Sequence, residues 1–182
     1  EIHNASSESI DLAGYSLTDD SNIPKKWMFP PILMPAGGYL VVYGGAPVVD
    51  GITLSDYQDA DGHFHFNFNL KDSGEFLAIV RPDGRTLESV IEPSYPAQFA
   101  DISYGLNRNG EGHYFTSPSP GKINVTGYEG ILKDPLFSEK RGFYDAPIEL
   151  RISTEEENTS IRYTLDGSQP TVSRGQLYES PV

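Results

Sequence analysis

The eight residues HFHFNFNL, 63–70, alternate without a break. Phe64, Phe66, Phe68 and Leu70 fall on one side, and His63, His65, Asn67 and Asn69 on the other. Two is the side-chain period of an extended chain, so this stretch predicts a strand with one buried and one wet face. The same signal recurs on both sides of it. In GGYLVVYGG, 37–45, Tyr39, Val41 and Tyr43 oppose Leu40 and Val42. Both faces are apolar there, which predicts a strand inside a sandwich. In SGEFLAIVRPDG, 73–84, Phe76, Ala78 and Val80 oppose Leu77 and Ile79. Pro82-Asp83-Gly84 then predicts a turn, because Pro presets φ and Gly accepts the left-handed position. Residues 86–91 are expected to return antiparallel.

Glycine and proline space these strands apart. The chain of 182 residues holds 18 glycines and 14 prolines, dispersed rather than clustered, which favours turns over long helices. Residues 92–124 alone carry four of each, and predict loops and short edge strands. Apolar residues make up 37%, enough for a real core. In KKWMFP, Trp27 and Phe29 share a face opposite Met28, and a core position is expected for both rather than a sugar-stacking role.

A second unit is expected after a link at 124–133. PIELRIST, 147–154, points Ile148, Leu150 and Ile152 inward. SIRYTLDG, 160–167, does the same with Ile161, Tyr163 and Leu165. EEENT between them is polar, so the two strands are expected to pair as a hairpin, and Asp166-Gly167 to reverse the chain.

The net charge is −13, from 26 acidic against 13 basic residues. Such a surface repels phosphate backbones and argues against nucleic-acid binding. No apolar run reaches the ~20 residues that cross a bilayer as a helix, so no membrane insertion is expected. With no cysteine, disulfides, zinc-thiolate centres and cysteine nucleophiles are excluded.

Few residues suggest chemistry. His63 and His65 put two imidazoles on one strand face, with Asp59 and Asp61 just upstream. Imidazole and carboxylate are good metal ligands, but spacing alone names no third or fourth ligand, and the plain expectation is a solvent-facing strand edge. DYQDADG, 56–62, resembles a calcium loop only faintly: it lacks the D-x-D-x-D-G spacing and the bidentate Glu six residues after the glycine. No G-x-S-x-G elbow occurs. The sequons at Asn4, Asn124 and Asn158 are expected to be chance matches. The expectation is therefore no catalytic, cofactor-binding or metal-binding residues, and no cofactor.

Two families are resembled. ASSESIDLAGYSLTDD, KKWMFPPILMPAGGYLVVYGG, FNFNLKDSGEFLAIVRPDG, YPAQFADISYG and YFTSPSPGKIN, in that order, resemble a bacterial lamin-tail domain over residues 1–127. FSEKRGFYDAPIELRIST, IRYTLDGSQPT and LYESPV resemble the C-terminal domain of chitobiase and β-hexosaminidase. Both resemblances imply immunoglobulin-like sandwiches. The expected architecture is all-β: a lamin-tail-like sandwich at 1–130 and a partial, chitobiase-type one at 131–182, the second incomplete. The family pattern continues past the motif matching LYESPV, which implies a piece of a longer polypeptide. In bacterial surface proteins this pair often precedes a kinase-like domain of the spore-coat H type, of which nothing is visible in these residues. The implied function is a non-catalytic adhesion or scaffold segment, extracellular or at the cell surface, presenting loops to a partner. An accessory carbohydrate-binding module is the alternative. The partner, protein or carbohydrate, is unknown.

Overall fold

The computed structural model describes every residue except 55 and 56. Among the described residues every regular element is a strand, most of two residues, and nearly all pairing is antiparallel. The protein is all-β, as the alternation predicts, and its small antiparallel sheets are consistent with immunoglobulin-like sandwiches. Chain contacts divide it into two compact units, Glu1–Glu129 and Gly130–Val182.

The first unit is organised by a four-stranded sheet. Its order is Leu87–Ile91, Leu77–Val80, Ser16–Thr18, Trp27–Met28. Leu77 pairs with Ile91 and Ala78 with Val90, and on the other edge Ile79 pairs with Leu17. The turn between the first two strands forms where Pro82-Asp83-Gly84 places it. Gly84 takes φ +71° and its N–H donates to Arg81 O at 2.9 Å.

Ser16 and Thr18 are polar yet wholly buried. Each hydroxyl finds a backbone carbonyl: Ser16 Oγ lies 2.8 Å from Pro24 O, and Thr18 Oγ1 2.8 Å from Ile23 O. Buried polar groups stand only when so paired. Against this sheet sits the core of Leu12, Leu17, Trp27, Phe29, Met34, Phe66 and Phe68. Trp27 meets Phe29 edge-on at 4.8 Å, and Phe66 and Phe68 lie 4.5 Å apart. Met28 is exposed between its two buried neighbours, so the alternation at KKWMFP holds and Trp27 is a core residue.

Two expectations for this unit are corrected. Residues 37–45 do not form one strand. Tyr39–Leu40 pairs antiparallel with Ile2–His3, whereas Val42–Tyr43 pairs parallel with Phe64–His65. The chain changes partner at Val41, so neither face is fully covered, and Tyr43 is exposed. In 63–70 the alternation buries Phe66 and Phe68 and half-buries Phe64, but Leu70 is exposed and only Phe64–His65 is regular strand. Backbone bonds from Gly45 to Phe68 and from Ala46 to Phe66 carry the contact onward irregularly.

The second unit is corrected more deeply. Ile152–Ser153 pairs with Leu136–Phe137, and Arg162–Tyr163 with Gln176–Leu177. The hairpin expected between 147–154 and 160–165 does not form, because the backbone groups it needs are taken. Leu150 and Val182 exchange both backbone bonds, at 2.8 and 3.0 Å. Arg151 N–H donates to Ser138 Oγ and Ile152 N–H to the Tyr178 hydroxyl. Of the six side chains expected inward, Ile152 is buried, Leu150, Ile161 and Tyr163 are half-buried, and Ile148 and Leu165 are exposed.

Candidate functional site

Among the described residues, a close grouping of ligand-type side chains lies in the turn before the Phe64–His65 strand. Asp59 organises it. Its backbone O accepts from Gly62 N–H at 3.0 Å, and its N–H donates to His63 O at 3.0 Å. Its Oδ1 accepts the N–H groups of Asp61 (3.0 Å) and His63 (2.8 Å), an Asx turn closed on itself. That leaves Oδ2 facing the strand, where His63 Nδ1 lies at 3.2 Å and His65 Nε2 at 3.1 Å. Because Oδ1 is spent on backbone, the direction of Oδ2 is fixed by the turn.

Neighbouring rings fix the imidazoles. His65 stacks on Tyr43, with centroids 5.4 Å apart and planes 28° apart, and meets Tyr57 edge-on at 5.2 Å. His63 meets the same Tyr43 edge-on at 5.2 Å. The N–H of His63 first, and then the side chain of His65, hold the Asp59 carboxyl well below the usual carboxylate range. Asp61 stands exposed on the turn, and ligand atoms of Asp59, Asp61 and His63 lie within 4.8 Å of one another.

The sequence named His63, His65, Asp59 and Asp61, and the fold brings them together on the two sides of one turn. Asp56, the first acid of DYQDADG, lies outside the described residues. Sequence reasoning missed Tyr43 and Tyr57 as members. Tyr43 arrives through a parallel pairing with a strand 22 positions later, His65↔Tyr43 in register, which no local pattern announces.

Two other surfaces stand out. A hairpin of Val48–Val49 and Ile52–Thr53 turns at Asp50 (φ +51°) and Gly51 (φ +79°), the two left-handed positions of a tight hairpin turn. It shows Val48, Val49 and Ile52 to solvent at 62, 51 and 67% exposure. Within the second unit a basin of about 410 Å3 is lined by Phe137, Tyr144, Ile148 and Leu150, with Lys140 and Arg141 among its walls. Asn4 is no glycosylation acceptor in this fold. It is buried, and its amide donates to Glu8 O (2.8 Å), Met34 O (3.2 Å) and Pro35 O (2.9 Å).

Among the described residues the protein is all-β, with these ligand-type side chains on a turn and the strand that follows it. Within the second unit, residues 139–182 match the family of the chitobiase/beta-hexosaminidase C-terminal domain. Comparison with curated proteins and with solved structures found no match. The matched family is a C-terminal domain and not the catalytic one. No helix among the described residues is long and apolar enough to cross a membrane.

Proposed function

We propose that this chain is a non-catalytic extracellular segment of a larger bacterial surface or secreted protein, its β-scaffold presenting loops to a protein partner. The observation that carries this is the 48–53 hairpin. Three apolar side chains stand in water on a tight two-stranded projection, and the core of the same unit is built elsewhere. Fixed loops on a rigid scaffold are the usual place for recognition. The match at 139–182 supports an accessory rather than a catalytic role. The lamin-tail resemblance of the first unit belongs to the same proposal.

A second reading is an accessory carbohydrate-binding module. The basin with Phe137 and Tyr144 favours it, since it lies mostly in the matched segment and offers exposed aromatic faces beside hydrogen-bond donors.

Binding to purified extracellular proteins and to insoluble polysaccharides on one surface tests both. The presentation reading expects saturable binding to at least one protein, weakened at least tenfold in V48S/I52S. Polysaccharide binding that disappears in F137A/Y144A, with V48S/I52S unaffected, replaces it with the second reading. Turnover of a glycoside substrate by the chain overturns both.

A further inference from the structure

We propose that Asp59, Asp61, His63 and His65 form a surface site for a zinc-class divalent cation. It goes beyond the presentation of loops and does not depend on which partner the loops meet.

Spacing is the first reason. Zinc holds nitrogen and carboxylate oxygen at about 2.0–2.2 Å, so two ligands at the tetrahedral angle lie about 3.3 Å from each other. Asp59 Oδ2 lies 3.2 Å from His63 Nδ1 and 3.1 Å from His65 Nε2. These two contacts match two edges of such a shell, both meeting at Asp59 Oδ2. Asp61 sits further out: its carboxylate lies within 4.8 Å of ligand atoms of Asp59 and His63, in a grouping that does not include His65, and it is exposed, so a rotation of its side chain would have to complete the shell.

Chemistry is the second. An ionised carboxylate oxygen only accepts, so without metal both contacts need a proton on Nδ1 of His63 and on Nε2 of His65. A cation replaces both protons at once. Each neutral ring then carries its hydrogen on its other nitrogen and turns a lone pair to the ion. Two imidazoles and two carboxylates make a mixed nitrogen and oxygen set, which suits zinc and its first-row neighbours better than calcium or magnesium, whose shells are oxygen.

Support around the ligands is the third. Asp59 Oδ1 is locked by two backbone N–H groups, and His65 is held between Tyr43 and Tyr57. Outer contacts of this kind fix ligand direction and sharpen affinity. The net charge of −13 adds a general attraction for cations.

Calorimetric titration of the whole chain with Zn2+ tests this. One equivalent should bind with a Kd in the micromolar range, and millimolar Ca2+ or Mg2+ should not displace it. H63A/H65A should raise the Kd at least a hundredfold. H3A/H113A, which removes the other two histidines, should leave it unchanged. D61N, at an exposed side chain outside the Asx turn, should raise it about tenfold without disturbing the fold. Nitrogen-15 spectra should show His63 Nδ1 and His65 Nε2 shifting on saturation. The proposal is overturned by no saturable heat, by H63A/H65A binding as wild type, or by H3A/H113A abolishing binding. Wild-type affinity in D61N overturns the four-ligand shell.

Discussion

At Gly74 the backbone takes φ +91°, and a Cβ added there would stand 2.0 Å from Tyr95 O. Both facts belong to one contact. Tyr95 N–H donates to Glu75 O at 3.0 Å, and the phenol donates to Lys71 O at 2.9 Å, so the 92–98 loop is fastened over the 71–75 turn. A G74A substitution should cost roughly 2–4 kcal/mol, since strain and clash fall on backbone that cannot yield. Chemical denaturation measures it, and a change under ~0.5 kcal/mol would mean the loop is not held as drawn.

Tyr95 itself is nearly all buried, and burial, with the charge of Glu75 beside it, pushes its phenol up to about 12. The fold therefore prefers the neutral phenol. Its contribution to stability is complete below the ordinary value of 10.0 and is lost as pH rises through about 12. In Y95F that alkaline loss should shrink, at a cost near neutral pH of about 1 kcal/mol for the missing hydrogen bond. Melting curves from pH 8 to 12 on both proteins decide it: parallel declines would assign the alkaline sensitivity to other tyrosines.

The elements divide by how local their causes are. The Leu77–Val80 strand and its return at Leu87–Ile91 are legible because alternation and turn residues lie within one short window. Asp83 shows how local the turn is. The Thr86 hydroxyl, then the N–H groups of Thr86 and Arg85, hold its carboxyl down to about 2. A depressed carboxyl supports the fold above its ordinary value of 3.8 and loses that support as pH falls through about 2. The side-chain carboxyl carbon of Asp83 should thus titrate with a midpoint near 2, whereas a midpoint at 3.8 would mean an open turn.

Ser16–Thr18 is the opposite case. Its two hydroxyls argue for a wet face by pattern, yet it is the buried strand beside Leu77–Val80, because carbonyls of a following turn reach back to satisfy them. The unbroken alternation of 37–45 predicts one strand, but alternation does not say which partner each pair takes. In the site, the Asp59 turn and the i, i+2 histidines are local and readable. The Tyr43 ring that orders them arrives by strand pairing, and long-range pairing leaves no trace in a single segment. The same limit applies to residues 147–154 and 160–165. Two amphipathic runs joined by a short polar connection fit a hairpin, and only the positions of Val182, Ser138 and Tyr178 show that other groups hold those amides.

At the scale of the whole molecule, the apolar core is shared out unevenly. The first unit buries Trp27, Phe29, Phe66, Phe68, Val80 and others, whereas among the described residues of the second unit Ile152 is the only buried apolar side chain. Leu136, Phe137, Leu165 and Val172 of that unit stand 55, 57, 77 and 93% exposed. An apolar side chain left in water forgoes roughly 1.5–3 kcal/mol that a core position would supply. Its two-stranded ladders add little by themselves, since an isolated hairpin is marginal in water. The second unit should therefore open at lower free energy than the first, as a cooperative unit of its own. In native-state hydrogen exchange of the whole chain, the paired amides of Ile152–Ser153 and Arg162–Tyr163 should exchange at least about a hundredfold faster than those of Leu77–Val80. That ratio corresponds to an opening free energy lower by about 2.8 kcal/mol, one or two uncovered side chains' worth. Equal protection in both sets would show that the exposed apolar surface of the second unit is covered in solution, and a dilution series would then tell association between copies from a fold tighter than its burial implies.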